Sequence, residues 1–239
     1  MNILAFDTAS QAGSVAILKD DHIIAHTQLN IGLTHSEKLL PSIHHIVNIS
    51  DFDIKSLDAI AITRGPGSFT GLRIGYSTGK GFAIGLKKPL IPVPTLDVLA
   101  ANGAGFSGII VPIMNARRGQ VYTAIYQSDG HKIEKITPYQ AIALDALLNE
   151  IVAKMPDVKV YFTGDGLDSF EEIIIADGRI DSVFAQGCRR NVCADVLAFI
   201  AKEYLDNGWE DTHEAPIYLR ESEAVIQWRE KHPGESLED

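Results

Sequence analysis

The chain has 239 residues, enough for one or two domains with a substantial core. Hydrophobic residues make up 46% and charged residues 22%, which excludes a disordered or fibrous chain, and no apolar run is long enough to span a membrane. The net charge is −10, most of it within residues 206–239; cations occur at most in isolated pairs such as Arg117–Arg118 and Arg189–Arg190, so a strong grip on nucleic acid by counterion release is not expected.

Ile3–Phe6 reads as a buried strand that ends in the polar turn Asp7-Thr8-Ala9-Ser10. Gly13–Leu18 and His22–Leu29 follow as two more strands. A helix is expected over 36–49, where Leu39, Leu40, Ile43, Ile46 and Val47 fall at helical spacing; Thr34 or Ser36 is its N-cap, and Glu37, three after Thr34, would complete a capping box. Leu57–Thr63 is a strand, Arg64–Gly71 a Gly/Pro loop, 70–86 a second helix and Leu90–Val93 a strand. The order then repeats. Ile109–Met114, Val121–Gln127 and His131–Ile136 read as strands, Ala143–Lys154 as a helix, Val158–Thr163 as a strand, and Ser169–Ile175 and Asn191–Tyr204 as helices. Two halves of meander, helix, strand and helix make a duplicated α/β fold, with domains expected at 1–103 and 104–239. Residues 230–239, polar and containing Pro-Gly, are expected to fray.

Catalytic signatures in a working context are missing. The eight histidines include no HExxH; His22 and His26 are four apart but in a strand, too distant to share a metal, and His44 and His45 point to different helix faces. There is no Walker A motif; the GxSxG string at Gly75–Gly79 falls inside an expected helix rather than at a strand-to-helix turn, and the GxGxxG string at Gly103–Gly108 leads into a strand rather than opening a helix. Cys188 and Cys193 have no CxxC spacing. No catalytic residue and no metal ligand is expected. The N-terminal MNILAFDTAS lacks the basic and apolar stretches of a signal peptide, so a reducing cytoplasm is the expected compartment.

Two features stand out against this background. In RGPGSFTGLRIGYSTGKGFAIGLK, Gly71, Gly75 and Gly79 recur every fourth residue, and Gly81 and Gly85 form another pair. A mid-helix glycine costs about 1 kcal/mol relative to alanine, so a bare row on one face needs a compensating contact. That contact is either intramolecular packing or a helix of another chain, and the second reading makes this face and the 36–49 helix a docking surface. The other feature is a pair of turns at matching places in the two halves: Asp7, Thr8 and Ser10 in the first, and Gly164, Asp165 and Gly166 in the second. Facing each other across a cleft, they are candidate phosphate or nucleotide contacts. Arg117-Arg118 is a candidate contact for a phosphate or carboxylate.

ILAFDTAS, THSEKLLP (34–41), ITRGPGSFTGLRIG (62–75) and NARRGQVY (115–122) together resemble the TsaB family, also called YeaZ, along nearly the whole chain. Asn115 departs from the Asp expected before Ala-Arg. The resemblance implies the actin-like ATPase fold of sugar kinases, Hsp70 and actin, in two RNase-H-like halves. It also implies a non-catalytic scaffold or activator that pairs with TsaD, and with the ATPase TsaE, in forming N6-threonylcarbamoyladenosine at position 37 of ANN-decoding tRNAs. TsaC supplies the threonylcarbamoyl-adenylate, and TsaD carries the metal and transfers the group. The metal motif of TsaD is HxxxH after a strand; Thr95 and Leu99 stand at those two positions here, and neither replaces imidazole. The implied partner interface is Leu39, Leu40, Ile43 and Ile46 on the first helix with Gly71, Leu72, Gly75, Tyr76, Gly79 and Phe82 on the second. On this reading Gly75→Leu abolishes partner association and leaves the monomer folded. Further implications are a homodimer when TsaD is absent, tRNA contact only through the complex, no membrane association, and no tightly held cofactor, with ATP or ADP at the partner joint. The alternative is a stand-alone nucleotide hydrolase or kinase of the same fold, with Asp7 as its acidic group. A peptidase is disfavoured by the missing histidine pair.

Overall fold

The computed structural model describes residues 1–210, 214–221 and 223–232. The first half builds a five-stranded sheet from β1 (Asn2–Asp7), β2 (Gly13–Lys19), β3 (His22–Leu29), β4 (Ala59–Thr63) and β5 (Leu90–Val93), in the order β3-β2-β1-β4-β5. The first three strands form an antiparallel meander, while β1, β4 and β5 run parallel. The central β1 and β4 are buried along nearly their whole length, as parallel strands covered on both faces must be. One face is covered by α1 (His35–Ile49) and α2 (Phe69–Leu86). Leu39, Ile43 and Ile46 of α1 pack with Phe6, Ile60 and Ile62 of the sheet, each fully buried aliphatic side chain contributing about 2 kcal/mol. The expected box at the start of α1 forms, with the Glu37 carboxylate accepting from the Thr34 N–H at 2.8 Å.

The second half follows α3 (Thr95–Ala101) with β6 (Ser107–Asn115), β7 (Gln120–Thr123), β8 (Tyr126–Asp129), β9 (Ile133–Lys135), β10 (Gln140–Ala143), α4 (Leu144–Lys154), β11 (Val160–Thr163), α5 (Leu167–Asp177) and β12 (Ser182–Phe184). Its sheet runs β10-β7-β6-β11-β12, with β8 also on β6 and β9 on β8. The expected single strand over Val121–Gln127 is therefore cut in two: β7 pairs with the last residues of β6 and β8 with the first, with buried Ala124 and Ile125 between them. Taking β7 with β8 as one arm and β9 with β10 as the next, both sheets have the same order. The duplication read from the sequence is present, and the fold is the actin-like pair of RNase-H-like halves.

The last elements do not stay with the second sheet. In α6 (Ala194–Asp206), Ala194, Leu197, Ala198 and Ala201 are buried against β1 and β2 of the first sheet. Ala5 and Ala16 in those strands let the helix lie close, and Ser14 Oγ caps it by accepting from the Ala194 N–H at 3.0 Å. In exchange α3 lies against β6. The expected division at 103/104 thus separates the two sheets but not the two packing units, because α6 supplies the second face of a sheet that α1 and α2 cover on one side only. α7 (Glu223–Lys231) closes the described chain; it was not expected, and residues 233–239 of the tail expected to fray lie outside the described residues.

Candidate functional site: the cleft between the two halves

Asp7 ends β1 with no exposed surface. Its Oδ1 accepts from the Thr63 hydroxyl and from the Ala9 N–H at 3.0 Å, while Oδ2 has no hydrogen-bond partner among the described residues. Burial pushes its carboxyl up to about 7, against the lowering effect of the Thr63 hydroxyl. The following turn is wedged between the two helices. On the α2 side, the Thr8 hydroxyl donates to the Gly71 carbonyl at 2.8 Å and the Ser68 N–H donates to the Ala9 carbonyl at 2.7 Å. On the α1 side, His35 Nε2 lies 2.6 Å from the Ser10 carbonyl, and Lys38 Nζ donates to the Gln11 carbonyl at 2.7 Å.

This turn is what the glycine row is for. A Cβ on Gly71 would lie 2.0 Å from the Thr8 carbonyl oxygen, one on Gly67 2.5 Å from that of Ala9, one on Gly75 2.5 Å from Thr8 Oγ1, and one on Gly79 2.8 Å from Leu90. The row faces inward, so the docking role expected for Gly71, Gly75 and Gly79 is corrected: the chain's own turn and sheet cover them. Leu39, Ile43, Ile46, Leu72 and Tyr76 are likewise buried in this chain, and Phe82 is partly buried against the same core. Of the expected interface only Leu40 stands out, at 54% exposure. The groove between the helices is lined by Leu40, Phe69, Arg73, Ile74, Ser77 and Thr78. Beyond it Ile84 is 78% exposed, and nothing described lies within 4 Å of a Cβ on Gly81 or Gly85. α2 therefore carries two small-residue rows at the same spacing on different faces. The polar neighbours of the outer one, Arg73, Ser77 and Lys80, were the available signal for which row points out.

The opposite wall of the cleft is the matching turn of the second half. Gly164 has φ +108°, and a Cβ there would lie 2.1 Å from the Ile113 carbonyl oxygen. The Gly166 N–H donates to that same carbonyl at 3.0 Å. Between them Asp165 accepts from the Asn115 N–H at 3.3 Å, and burial raises it to about 6. Its charge in turn adds to the raising of Asp7, which lies buried behind the cleft wall while Asp165 lines it. The space between the halves is about 750 Å³, and Ala9, Ser10, Ser68, Asn115, Arg117 and Asp165 are among its lining residues. The structure thus brings together the two turns singled out in the sequence. Arg117 and Arg118 are consecutive non-glycine residues at φ +63° and +52°, a conformation that costs about 1 kcal/mol each. It is held by Asn115, whose Oδ1 accepts from the Arg117 N–H at 2.8 Å and whose Nδ2 donates to Ser169 Oγ at 3.2 Å.

A strap formed by residues 214–221 crosses the mouth of the cleft. Glu214 pairs with Arg64, and its carbonyl accepts from the Tyr76 hydroxyl. The Ile217 N–H donates to the Arg64 carbonyl at 2.6 Å, the Tyr218 ring lies 4.7 Å from that of Phe69, and Arg220 donates to the Ala116 carbonyl on the far side. Gly65, at φ +100°, makes room: a Cβ there would sit 2.5 Å from the Ile217 carbonyl oxygen.

Thr95 and Leu99 are both buried; the Thr95 hydroxyl accepts from the Gly65 N–H at 3.0 Å and Leu99 lies in the core. Between them Asp97 accepts from the Tyr126 and Tyr139 hydroxyls at 2.6 and 2.8 Å. Cys193 is buried, which pushes its thiol up to about 12, and Cys188 is exposed. Among the described residues no helix is long and apolar enough to cross a membrane.

Comparison with known proteins extends this picture. A family model described as "TsaD: tRNA N6-adenosine threonylcarbamoyltransferase" matches residues 30–228. The chain is 35% identical to the "tRNA threonylcarbamoyladenosine biosynthesis protein TsaB" of Bacillus subtilis, over 96% of this chain and 99% of that one. It is 30% identical to the protein of the same name from Escherichia coli, over 98% and 99%. A solved structure titled "YeaZ from Pseudomonas aeruginosa" superposes with a TM-score of 0.72 at 25% identity, covering 91% of this chain and 99% of that one.

Proposed function

The chain belongs to the TsaB family, whose curated members carry the name of tRNA threonylcarbamoyladenosine biosynthesis proteins, and on that premise we propose that it is a non-catalytic subunit that shapes and activates the transferase TsaD, together with TsaE, in threonylcarbamoylation of adenosine 37 of ANN-decoding tRNAs. The observation that carries this reading is the pair Thr95 and Leu99. At the positions where TsaD holds its metal, one side chain has no donor atom and the other has a hydroxyl engaged by the Gly65 N–H. TsaD docks on the outward faces of α1 and α2, around Leu40, Ile74, Ser77 and Ile84, and the same face pairs two copies of this chain when TsaD is absent. tRNA is held by the assembly, because this chain alone carries a net charge of −10. The protein works in the cytoplasm.

The cleft residues suit a nucleotide. The cleft lining carries the Ser10, Ser68 and Thr70 hydroxyls and Arg117, which suit phosphates, and Asp165 on the same lining suits the divalent cation that accompanies them. ATP or ADP is bound weakly by this chain and better at the joint with TsaD. The test is co-purification with a TsaD homologue, followed by the tRNA modification assay with each subunit omitted in turn. Modification by the full set, its loss without this chain, and its absence when this chain is the sole protein beside the adenylate are the expected results. Modified tRNA from this chain and the adenylate alone would refute the non-catalytic reading. A second reading is a stand-alone nucleotide hydrolase or kinase of the same fold with Asp7 as its acidic group, whose Oδ2 is left without a partner among the described residues. Nucleotide turnover by the purified chain that disappears in Asp7→Ala would establish it.

A further inference from the structure

The Thr8–Gln11 turn is held from both sides by the two helices whose outer faces flank the groove, and the α1 contacts are made by charged or titratable side chains that serve no other visible purpose. Lys38 lies in the second turn of α1 with 4% of its surface exposed, and Nζ is spent on the Gln11 carbonyl. Burial lowers the basicity of its ammonium, and Asp7 partly offsets that by its negative charge. His35, one turn earlier, places Nε2 on the Ser10 carbonyl, while its Nδ1 is buried without a partner among the described residues. Gly13 makes room for both: a Cβ there would lie 3.1 Å from Lys38 Cε and 3.5 Å from His35 Nδ1. An apolar residue at 38 would complete the inner face of α1 as well as Leu39 and Ile43 do, so packing alone does not call for a lysine. The cleft and the groove also meet at this point, since His35, Ser36, Phe69 and Thr70 line both.

We propose that His35 and Lys38 are positioning residues that couple the groove to the cleft: a partner seated on the outer face of α1 tightens their bonds to the Ser10 and Gln11 carbonyls and so fixes the turn that meets the phosphates. This rests on the docking reading above. It gives α1 two working faces, with Leu40 receiving the partner and Lys38, on the opposite side, holding the turn. The ligand affected is a phosphate-bearing one, because Ser10 and Gln11 of this turn line the cleft together with Ser68, Thr70 and Arg117.

Hydrogen exchange of the full-length chain, alone and with the TsaD homologue, tests the coupling, with co-elution recorded in parallel. In the wild type, docking slows exchange in peptides spanning residues 8–12 about tenfold, the worth of one charge-assisted hydrogen bond. Lys38→Met co-elutes like the wild type but shows no slowing, and the affinity of its complex for ADP with magnesium falls about tenfold. His35→Leu, read at saturating partner because His35 also lines the groove, likewise shows no slowing, whereas His35→Gln, with an amide in place of the imidazole, restores the response; this pair decides the matter if Lys38→Met does not fold. Co-elution without slowing in the wild type, or undiminished slowing in Lys38→Met or His35→Leu, would overturn the coupling and leave docking intact. Absence of co-elution in the wild type would sink the docking reading and the coupling with it.

Discussion

Replacing Gly71 with alanine sets two effects against each other, and the structure says which wins. In an open helix the change favours folding, by up to about 1 kcal/mol. At Gly71 the new methyl would lie 2.0 Å from the Thr8 carbonyl oxygen, far inside contact distance and against backbone rather than a flexible side chain. Either α2 lifts from the turn, losing the Thr8–Gly71 and Ser68–Ala9 bonds, or β1 distorts beside buried Asp7. Overpacking of this kind costs about 1–3 kcal/mol, and a lost buried hydrogen bond adds about 1 kcal/mol. The net expectation is destabilisation by about 1–3 kcal/mol, or a Tm lower by about 2–12 °C for a chain of this size. Gly81→Ala and Gly85→Ala, on the same helix with open space around the added methyl, are expected to raise Tm by about 1–4 °C each. Thermal unfolding followed by circular dichroism, with urea titration to give ΔG, separates the signs. Gly71→Ala as stabilising as Gly81→Ala would refute the inward-facing row. Gly75→Leu, by the same reasoning, damages the monomer itself and is unsuited as a probe of docking.

Leu40→Asp is expected to abolish co-elution with TsaD while shifting stability by less than about 0.5 kcal/mol, and Ile43→Ala, three residues on but buried, to cost about 2–5 kcal/mol; normal co-elution of a folded Leu40→Asp would contradict the assigned face. Asp7 is raised from 3.8 to about 7 on folding, so the folded state binds the extra proton and this group's effect erodes stability as pH rises from about 4 through 7. Asp7→Asn removes that slope, and its gain in Tm over wild type is expected to be larger at pH 8 than at pH 4; equal differences at the two values would count against the buried, proton-binding carboxyl. Tyr139→Phe deletes a hydrogen bond to Asp97 and is expected to cost about 1–3 kcal/mol in urea unfolding.

The parts of this fold that could be read from the sequence are those whose evidence is local. β1 and β4 are continuous apolar runs, and α1, α4 and α6 have apolar residues at helical spacing, so each was placed to within a few residues. The two carboxylate turns were legible because each follows a buried strand with short polar residues and glycine. Missed elements were short, such as the three-residue β12, or lay within a motif read for another purpose, such as α3. The glycine row illustrates a different limit. A spacing of four identifies a face but not what covers it, and α2 has such a row on both its inner and outer sides. Lys38 was invisible because lysine in an apolar row reads as solvated; only the position of the Gln11 carbonyl reveals its use. The return of α6 to the first sheet is a contact across nearly 200 residues, and no local pattern encodes its destination.

That return has a consequence for how the protein is made. When β5 has left the ribosome, the first sheet has α1 and α2 on one side and bare strands on the other, and it stays so until residue 206 emerges. At 5–20 residues per second, about 100 further residues mean a wait of roughly 5–20 s with Ala5, Ala16 and Leu18 uncovered. A nascent chain in that interval is a natural client for a ribosome-associated chaperone, and a message truncated within α6 yields a sticky fragment rather than a working half.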